Sequence, residues 1–170
     1  MNDAAPDSVA LLCGATAGIG LAVAEALLDD GVRKMVIVGR NPARVDSCVA
    51  SFGRLDTLVS LAAGDPMPKL LHETPIERVP EIIGSITSGI LLPLRAALPQ
   101  MMAQGGGSMI CVASDAAKVA TPGECAIGAA MAAVAMFCRT LAIEARRSGI
   151  RVNCVTPSIV ENTPLFDKVM

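Results

Sequence analysis

The stretch that most constrains the fold of this chain covers residues 8–40 and contains three closely spaced glycines. A short apolar run at residues 9–12 precedes the glycines, and a second apolar run at 35–38 follows an Ala- and Leu-rich segment. Apolar runs of this length are typical of strands that are buried on both faces of a parallel sheet. The stretch therefore predicts a strand, a glycine-rich turn, a helix and a second strand.

The three glycines, Gly14, Gly18 and Gly20, lie at the predicted strand-to-helix turn. Backbone without Cβ atoms can approach a phosphate closely, and a helix N-terminus offers free N–H groups and the positive end of its dipole. The pattern therefore predicts a turn that binds a pyrophosphate. The alternative is that the glycines serve only the close packing of the helix on its strand.

Beyond this unit the sequence continues to alternate between helical and extended patterns. It predicts helices over residues 43–52, 81–102 and 125–147, and strands within 55–64, 108–113 and 150–155. Such alternation is typical of a parallel α/β sheet with helices on both faces. We therefore predict a single domain over residues 1–170, a Rossmann-like doubly wound parallel sheet in a minimal version with about five strands.

Composition restricts the classes of partner. Hydrophobic residues make up 52% of the 170 residues, which predicts apolar surface buried in an oligomer, and we expect a homo-oligomer that associates through the helices at 81–102 and 125–147. The net charge of −2 provides no basic surface for nucleic acid. The longest uncharged runs, 82–94 and 125–138, are shorter than the ~20 apolar residues of a membrane span.

The cysteines and the first residues indicate a compartment. The chain has no C-x-x-C pair, so its cysteines are expected as small core residues in a reducing environment rather than as a disulfide or metal framework. Residues 1–8 show no basic and apolar signal sequence. A cytoplasmic location is therefore expected. The six cysteines are Cys13, Cys48, Cys111, Cys125, Cys138 and Cys154.

Several segments resemble the short-chain dehydrogenase/reductase family. Residues 13–20, C-G-A-T-A-G-I-G, are similar to the T-G-x-x-x-G-I-G turn of that family, and residues 149–158 are similar to its G-I-R-V-N-x-V-x-P-G strand. Residues 52–56 and 95–99 are similar to the run before its N-N-A-G strand end and to the end of one of its long helices. The resemblance implies binding of NAD(P)(H) and hydride transfer on a carbonyl or an alcohol.

The resemblance also assigns a cofactor site. Arg40 stands beside the position at which NAD-preferring members carry an acid, and a guanidinium can bind a 2′-phosphate, so NADP(H) is expected. The alternative for Arg40 is a solvated turn residue. Residues 41–56 have room for one helix where the family has a further strand and two helices, which predicts a weakened adenine site. The assigned positions are Gly14, Thr16, Ala17, Gly18, Ile19, Gly20, Arg40, Ala63 and Gly64.

Most of the family's catalytic residue types are missing from the corresponding positions of this chain. Its chemistry uses a Tyr, a Lys four residues later, a Ser and an Asn, and this chain contains no tyrosine. The resemblance places Ile127 at the Tyr position, Met131 at the Lys position and Ile86 at the Asn position, and it retains only Ser114 as a catalytic candidate. Apolar side chains cannot supply general acid–base catalysis, which is worth about 10²–10⁴-fold in rate. The alternative for Ser114 is a cap for the loop backbone, and the adjacent Asp115 is expected to point away from it.

These losses predict a pseudoenzyme, a family homologue without oxidoreductase activity that acts through association and retains weakened NADP(H) binding. The alternative is an enzyme of altered chemistry around Ser114. It would be an NADP(H)-dependent oxidoreductase, or an isomerase or lyase that uses the old cofactor site as a substrate pocket. The sequence pattern indicates no metal site and no particular substrate.

Overall fold

The computed structural model describes residues 7–39, 44–64, 66–163 and 166–167. Within these ranges strands and helices alternate along the chain, as predicted from the sequence. Three short 3₁₀ turns cover Leu71–Glu73, Asp115–Ala117 and Arg146–Ser148. The main elements are β1 (Val9–Cys13), α1 (Gly18–Asp29), β2 (Lys34–Val38), α2 (Arg44–Phe52), β3 (Thr57–Ser60), α3 (Arg78–Ala103), β4 (Gly107–Val112), α4 (Cys125–Ala145) and β5 (Ile150–Val155).

The five strands form one parallel sheet in the order β2-β1-β3-β4-β5. The chain moves outward from β1 to β2 and then crosses back over β1 to β3, so the winding direction reverses between β1 and β3. In open α/β sheets a crevice forms at this reversal, beyond the carboxyl ends of the strands, and ligands bind there. The predicted Rossmann-like doubly wound sheet of five strands is confirmed.

The two faces of the sheet bury different cores. Along β1, Val9, Leu11 and Cys13 pack towards α2, α3 and α4, whereas Ala10 and Leu12 pack towards α1. All five residues are buried because β1 has a strand on each side and helices on each face. This double burial is why the first strand is a continuous apolar run rather than an alternating one.

Helix α3 approaches the end of β3 closely and holds the segment that follows this strand. A Cβ at Gly89 would overlap the Ala62 carbonyl, so only glycine permits this approach. The buried Ser60 hydroxyl donates a hydrogen bond of 2.9 Å to the Ile90 carbonyl of the same helix. Residues 61–64 are therefore fixed against α3, and they form one wall of the crevice.

Two helical segments are long and apolar enough to cross a membrane by length and composition alone. They are Arg78–Ala103 and Cys125–Ser148, with mean hydropathies of 1.4 and 1.8. Both pack on the sheet, and they bury Ile90 of α3 and Val134 of α4 completely. Core helices pass the same test, so the two segments are a weak indication of a membrane, and the expectation of no membrane partner stays a prediction.

Candidate functional site

A cavity of about 300 Å³ lies in the crevice at the carboxyl ends of β1, β3 and β4. We call it the crevice cavity. Thr16 is exposed on the glycine turn but does not line the cavity, and Arg40 lies outside the described residues. Seven of the nine predicted cofactor positions do line it, and these are Gly14, Ala17, Gly18, Ile19, Gly20, Ala63 and Gly64.

The glycine turn has the geometry that a phosphate needs. Helix α1 begins at Gly18, its N-cap Ala17 provides no side-chain hydrogen bond, and its first turn contains no acidic residue. The first N–H groups of α1 therefore have no side-chain partner from the cap and meet no opposing charge. Gly14 has φ +89° and Gly18 has φ +55°, and a Cβ at Gly14 would lie 2.7 Å from the Ala62 nitrogen. The residues present fit a pyrophosphate at this end of the cavity.

The opposite end of the crevice cavity is apolar. Val112 and Ala113 at the end of β4 line it, and Met131 of α4 joins them with 9% of its surface exposed. Among the described residues that line the cavity, none carries a titratable side chain, and Ser158 and Thr163 supply the only hydroxyl groups. This end of the cavity can hold an apolar group but offers no acid or base to a reacting one.

Ser114 follows Ala113 but is not one of the residues that line the crevice cavity. Its hydroxyl accepts a hydrogen bond of 3.2 Å from the Ala116 N–H and donates one of 3.2 Å to the Asp115 carboxylate. The side chain caps the 3₁₀ turn at Asp115–Ala117. The expectation that Asp115 points away was wrong, because the 3₁₀ turn replaces extended chain and brings the carboxylate beside the hydroxyl. The observed contacts of Ser114 are therefore those of a cap for the loop backbone, which was the alternative considered for this residue.

The three apolar residues at the family's other catalytic positions lie in different places. Met131 reaches the crevice cavity. Ile127, one helical turn earlier, lines a separate cavity of about 20 Å³ beside Cys125. Ile86 belongs to α3 and is fully buried in the core between this helix and the sheet. The structure therefore brings only one of the three positions to the predicted site.

Sequence reasoning gave Glu124 no part in the site, yet its carboxyl lies near the Ser114–Asp115 pair. Burial raises the pKa of Glu124, and the Asp115 carboxylate raises it further. The local sequence carries no sign of this, because the proximity depends on how the loop folds back towards the start of α4. Within the described residues, no group of three or more His, Cys, Asp or Glu side chains is placed to hold a metal ion.

Sequence comparisons identify relatives of this chain. The sequence profile of the short chain dehydrogenase family matches residues 42–170. A 2-(R)-hydroxypropyl-CoM dehydrogenase from Xanthobacter autotrophicus is 36% identical over 125 residues, which are 72% of this chain and 50% of that protein. The Homo sapiens dehydrogenase/reductase SDR family member 4 is 28% identical over 193 residues, which are 95% of this chain and 69% of that protein. The chain thus spans half of the first relative and about two thirds of the second.

Solved structures share the fold. An NAD⁺-bound xylitol dehydrogenase superposes with a TM-score of 0.89 at 22% identity, covering 95% of this chain and 74% of the other. A levodione reductase superposes with a TM-score of 0.85 at 22% identity, covering 95% and 75%. The profile match extends over more than half of the chain and agrees with this fold. The chain belongs to the short-chain dehydrogenase/reductase family.

Proposed function

We propose that this chain is a nicotinamide dinucleotide-binding homologue that has lost the hydride-transfer activity of its family and acts through association. The proposal rests mainly on the chemistry of the crevice cavity. Among the described residues that line this cavity, none has a titratable side chain. The chain also contains no tyrosine anywhere. A dinucleotide can therefore be held there without a proton donor beside it.

Three observations support dinucleotide binding. The uncapped start of α1 and the positive φ angles of Gly14 and Gly18 fit a pyrophosphate, the family binds such cofactors, and the similar xylitol dehydrogenase structure is NAD⁺-bound. When bound, the cofactor supplies a hydride from its nicotinamide ring. We propose a preference for NADP(H), which rests on Arg40 in the sequence after Gly39.

The loss of chemistry follows from the groups around the cavity. Carbonyl reduction needs a proton for the substrate oxygen, and the Ser114 hydroxyl already donates to Asp115. Met131 has neither the charge nor the proton of a lysine, and Ile127 lines another cavity. Losing acid–base help alone lowers the rate by about 10²–10⁴-fold. We therefore expect no measurable carbonyl reduction.

Calorimetric titration of the purified chain with NADPH and NADH tests the binding part. We expect saturable binding with a preference for NADPH. Gly18→Asp should abolish binding, since it adds a carboxylate at the helix N-terminus and a side chain at φ +55°. The matched control is Gly84→Ala, which lies in α3 with open space around its added Cβ and should bind normally.

Turnover assays with NADPH and a panel of aldehydes and ketones test the activity part. We expect no reduction above the protein-free rate. Robust reduction that Ser114→Ala abolishes would overturn the pseudoenzyme proposal. Absence of binding at millimolar NADPH would overturn only the cofactor part and leave association as the function.

The association part of the proposal rests on the outer surface of α3 and α4. Leu92 and Met136 are large apolar side chains on these helices, and they are 50% and 58% exposed. We propose that a second copy of the chain covers this surface. Light scattering after size exclusion should give a dimer that Leu92→Lys with Met136→Lys converts to a monomer. Val119→Lys, at an exposed loop position, is the control and should stay dimeric.

A cytoplasmic location belongs to the same proposal. It is supported by the six cysteines, all of which are free thiols, as is usual for proteins of reducing compartments. Alkylation of the protein immediately after extraction, followed by intact-mass measurement, should find all six thiols reduced. A native disulfide that includes Cys13, Cys48 or Cys125 at that point would contradict the location.

Glu124 favours a second candidate, an enzyme of altered chemistry around Ser114. A carboxyl with a raised pKa beside a serine–carboxylate pair is a proton carrier of the kind that isomerases and lyases use. If this candidate is right, Glu124→Gln and Ser114→Ala each remove a turnover that the wild-type chain performs on a ligand of the crevice cavity. Unchanged turnover in both variants would exclude it.

A further inference from the structure

Three cysteines come together away from the crevice cavity, between α4 and the edge of the sheet. Cys111 of β4 and Cys154 of β5 are paired in register on neighbouring parallel strands, so their side chains leave the same face of the sheet. Cys138 of α4 packs on that face in the same core. Cys154 packs against the same core. We call these three residues the thiol cluster.

The thiol cluster opens on a cavity of about 600 Å³ between α4 and β5, which we call the edge cavity. Cys138 and Cys154 line it, whereas Cys111 is fully buried behind them. Lys118 and Arg139 line the same cavity. In the described part of the chain β5 is the last strand of the sheet, so the edge cavity opens beside the partly exposed Cys154, and Cys138 lines it with 2% of its surface exposed.

These surroundings favour a reactive thiolate at Cys138. The neighbouring Cys111 thiol lowers the pKa of the Cys138 thiol, burial opposes this shift, and the Cys154 thiol lowers the pKa further. Burial raises the pKa of Cys154 to about 11, although Lys118 acts in the opposite direction. Cys138 therefore loses its proton more readily than Cys154 does. A pair of this kind is typical of an attacking and a resolving cysteine.

We propose that Cys138 and Cys154 form a reversible disulfide when a hydroperoxide enters the edge cavity. The Cys138 thiolate attacks the O–O bond and takes one oxygen as a sulfenic acid, while the remaining oxygen takes a proton and leaves as an alcohol, or as water from hydrogen peroxide. The Cys154 thiol then attacks the Cys138 sulfur, the S–S bond forms, and the sulfenic oxygen leaves as water with the Cys154 proton. The two cysteines lose two electrons in total, and the hydroperoxide gains them.

The chain contains a matched control for this chemistry. Cys13 and Cys48 are also neighbouring buried thiols, but neither lines the crevice cavity or the edge cavity. Burial raises the pKa of Cys13 to about 12 and also raises that of Cys48. If proximity of two thiols were sufficient, both pairs would oxidise alike. If the edge cavity and its cations matter, only the thiol cluster reacts.

The test uses the full chain with Cys125→Ser, which removes the exposed thiol. The protein is treated with one equivalent of hydrogen peroxide, alkylated, digested and mapped by mass spectrometry. We expect a mass loss of about 2 Da and a Cys138–Cys154 crosslinked peptide that dithiothreitol reverses, since a disulfide removes two hydrogens. Oxidation of the cluster should be at least about 10-fold faster than that of Cys13 and Cys48.

Variants assign the order of attack. Cys154→Ser should accumulate a sulfenic acid at Cys138 that dimedone traps, and Cys138→Ser should yield neither product. Cys111→Ala should shift the pH midpoint of Cys138 alkylation upwards, because it removes the neighbouring thiol that lowers the pKa of Cys138, and a merely structural role would not move this midpoint. Equal oxidation of both cysteine pairs, or a sulfenic acid at Cys154 instead of Cys138, would overturn the proposal. The peptide map of the Cys125→Ser protein decides this even if a further variant fails to fold.

Discussion

Replacing Gly20 by alanine tests whether close packing of α1 on β1 shapes the glycine turn. Gly20 is buried in the first turn of α1. A Cβ at this position would lie 2.5 Å from the Ala15 Cα and 2.6 Å from the Gly14 carbonyl oxygen. Both are backbone atoms, so rotation of a side chain cannot relieve the overlap. The turn or the helix must move instead.

Two effects of opposite sign set the magnitude. Alanine is favoured over glycine in a helix by about 1 kcal/mol. Forcing a methyl group into packed structure costs typically about 1–3 kcal/mol, and more where the neighbour cannot yield. Because the overlap here is with backbone, we expect a net loss of about 2 kcal/mol in the free energy of unfolding. For a chain of this size that corresponds to a fall in Tm of roughly 4–8 °C.

Gly84→Ala in α3 is the matched control, because no atom lies within 4 Å of its added Cβ. It should raise the free energy of unfolding by about 0.5–1 kcal/mol. Urea unfolding followed by far-UV circular dichroism measures both variants against the wild type. The two should differ by about 2.5–3 kcal/mol. Equal stability of the two variants would refute the packing explanation of the glycine turn.

Three further predictions concern stability. The Asp56 carboxylate accepts a hydrogen bond from the Val9 N–H at the start of β1 and forms an ion pair with Arg54 at 2.7 Å. Burial raises the pKa of Asp56, but the hydrogen bonds from Arg54 and Val9 outweigh burial and keep this pKa below its usual value. Its stabilisation is therefore present above about pH 4 and is lost as the pH falls further, so Asp56→Asn should cost about 1–2 kcal/mol at pH 7 and flatten the acid limb of the urea-unfolding profile. Burial raises the pKa of Glu124, so the stability that its protonated form contributes is lost as the pH rises; Glu124→Gln should exceed the wild type in stability at pH 7 and match it at pH 4, and lower stability at pH 7 would contradict this. Ile90→Ala empties a fully buried position of α3 and should cost about 2–5 kcal/mol in the same assay, whereas Val119→Ala at an exposed loop position should change stability by less than about 0.5 kcal/mol.

Much of the fold was predictable because local sequence patterns encode its strands, turns and helices. The continuous apolar run of β1 indicated a strand buried on both faces, and the spacing of Gly14, Gly18 and Gly20 placed the turn between this strand and α1. Segment bounds were predicted within a few residues for α3 and closely for β5. The orientation of Asp115 was wrong because a 3₁₀ turn, which carries no strong local signal, determines it.

The sequence by itself determined the chemistry available to this protein: a glycine turn that fits a phosphate, six cysteines and no tyrosine. Only the tertiary structure decided which of these groups meet. It brought Met131 to the crevice cavity and took Ile127 away from it. It also joined Cys111 and Cys154, each the fifth residue of a six-residue strand, with Cys138. Strand register and helix packing set such contacts between residues far apart in the chain, and no local pattern encodes them.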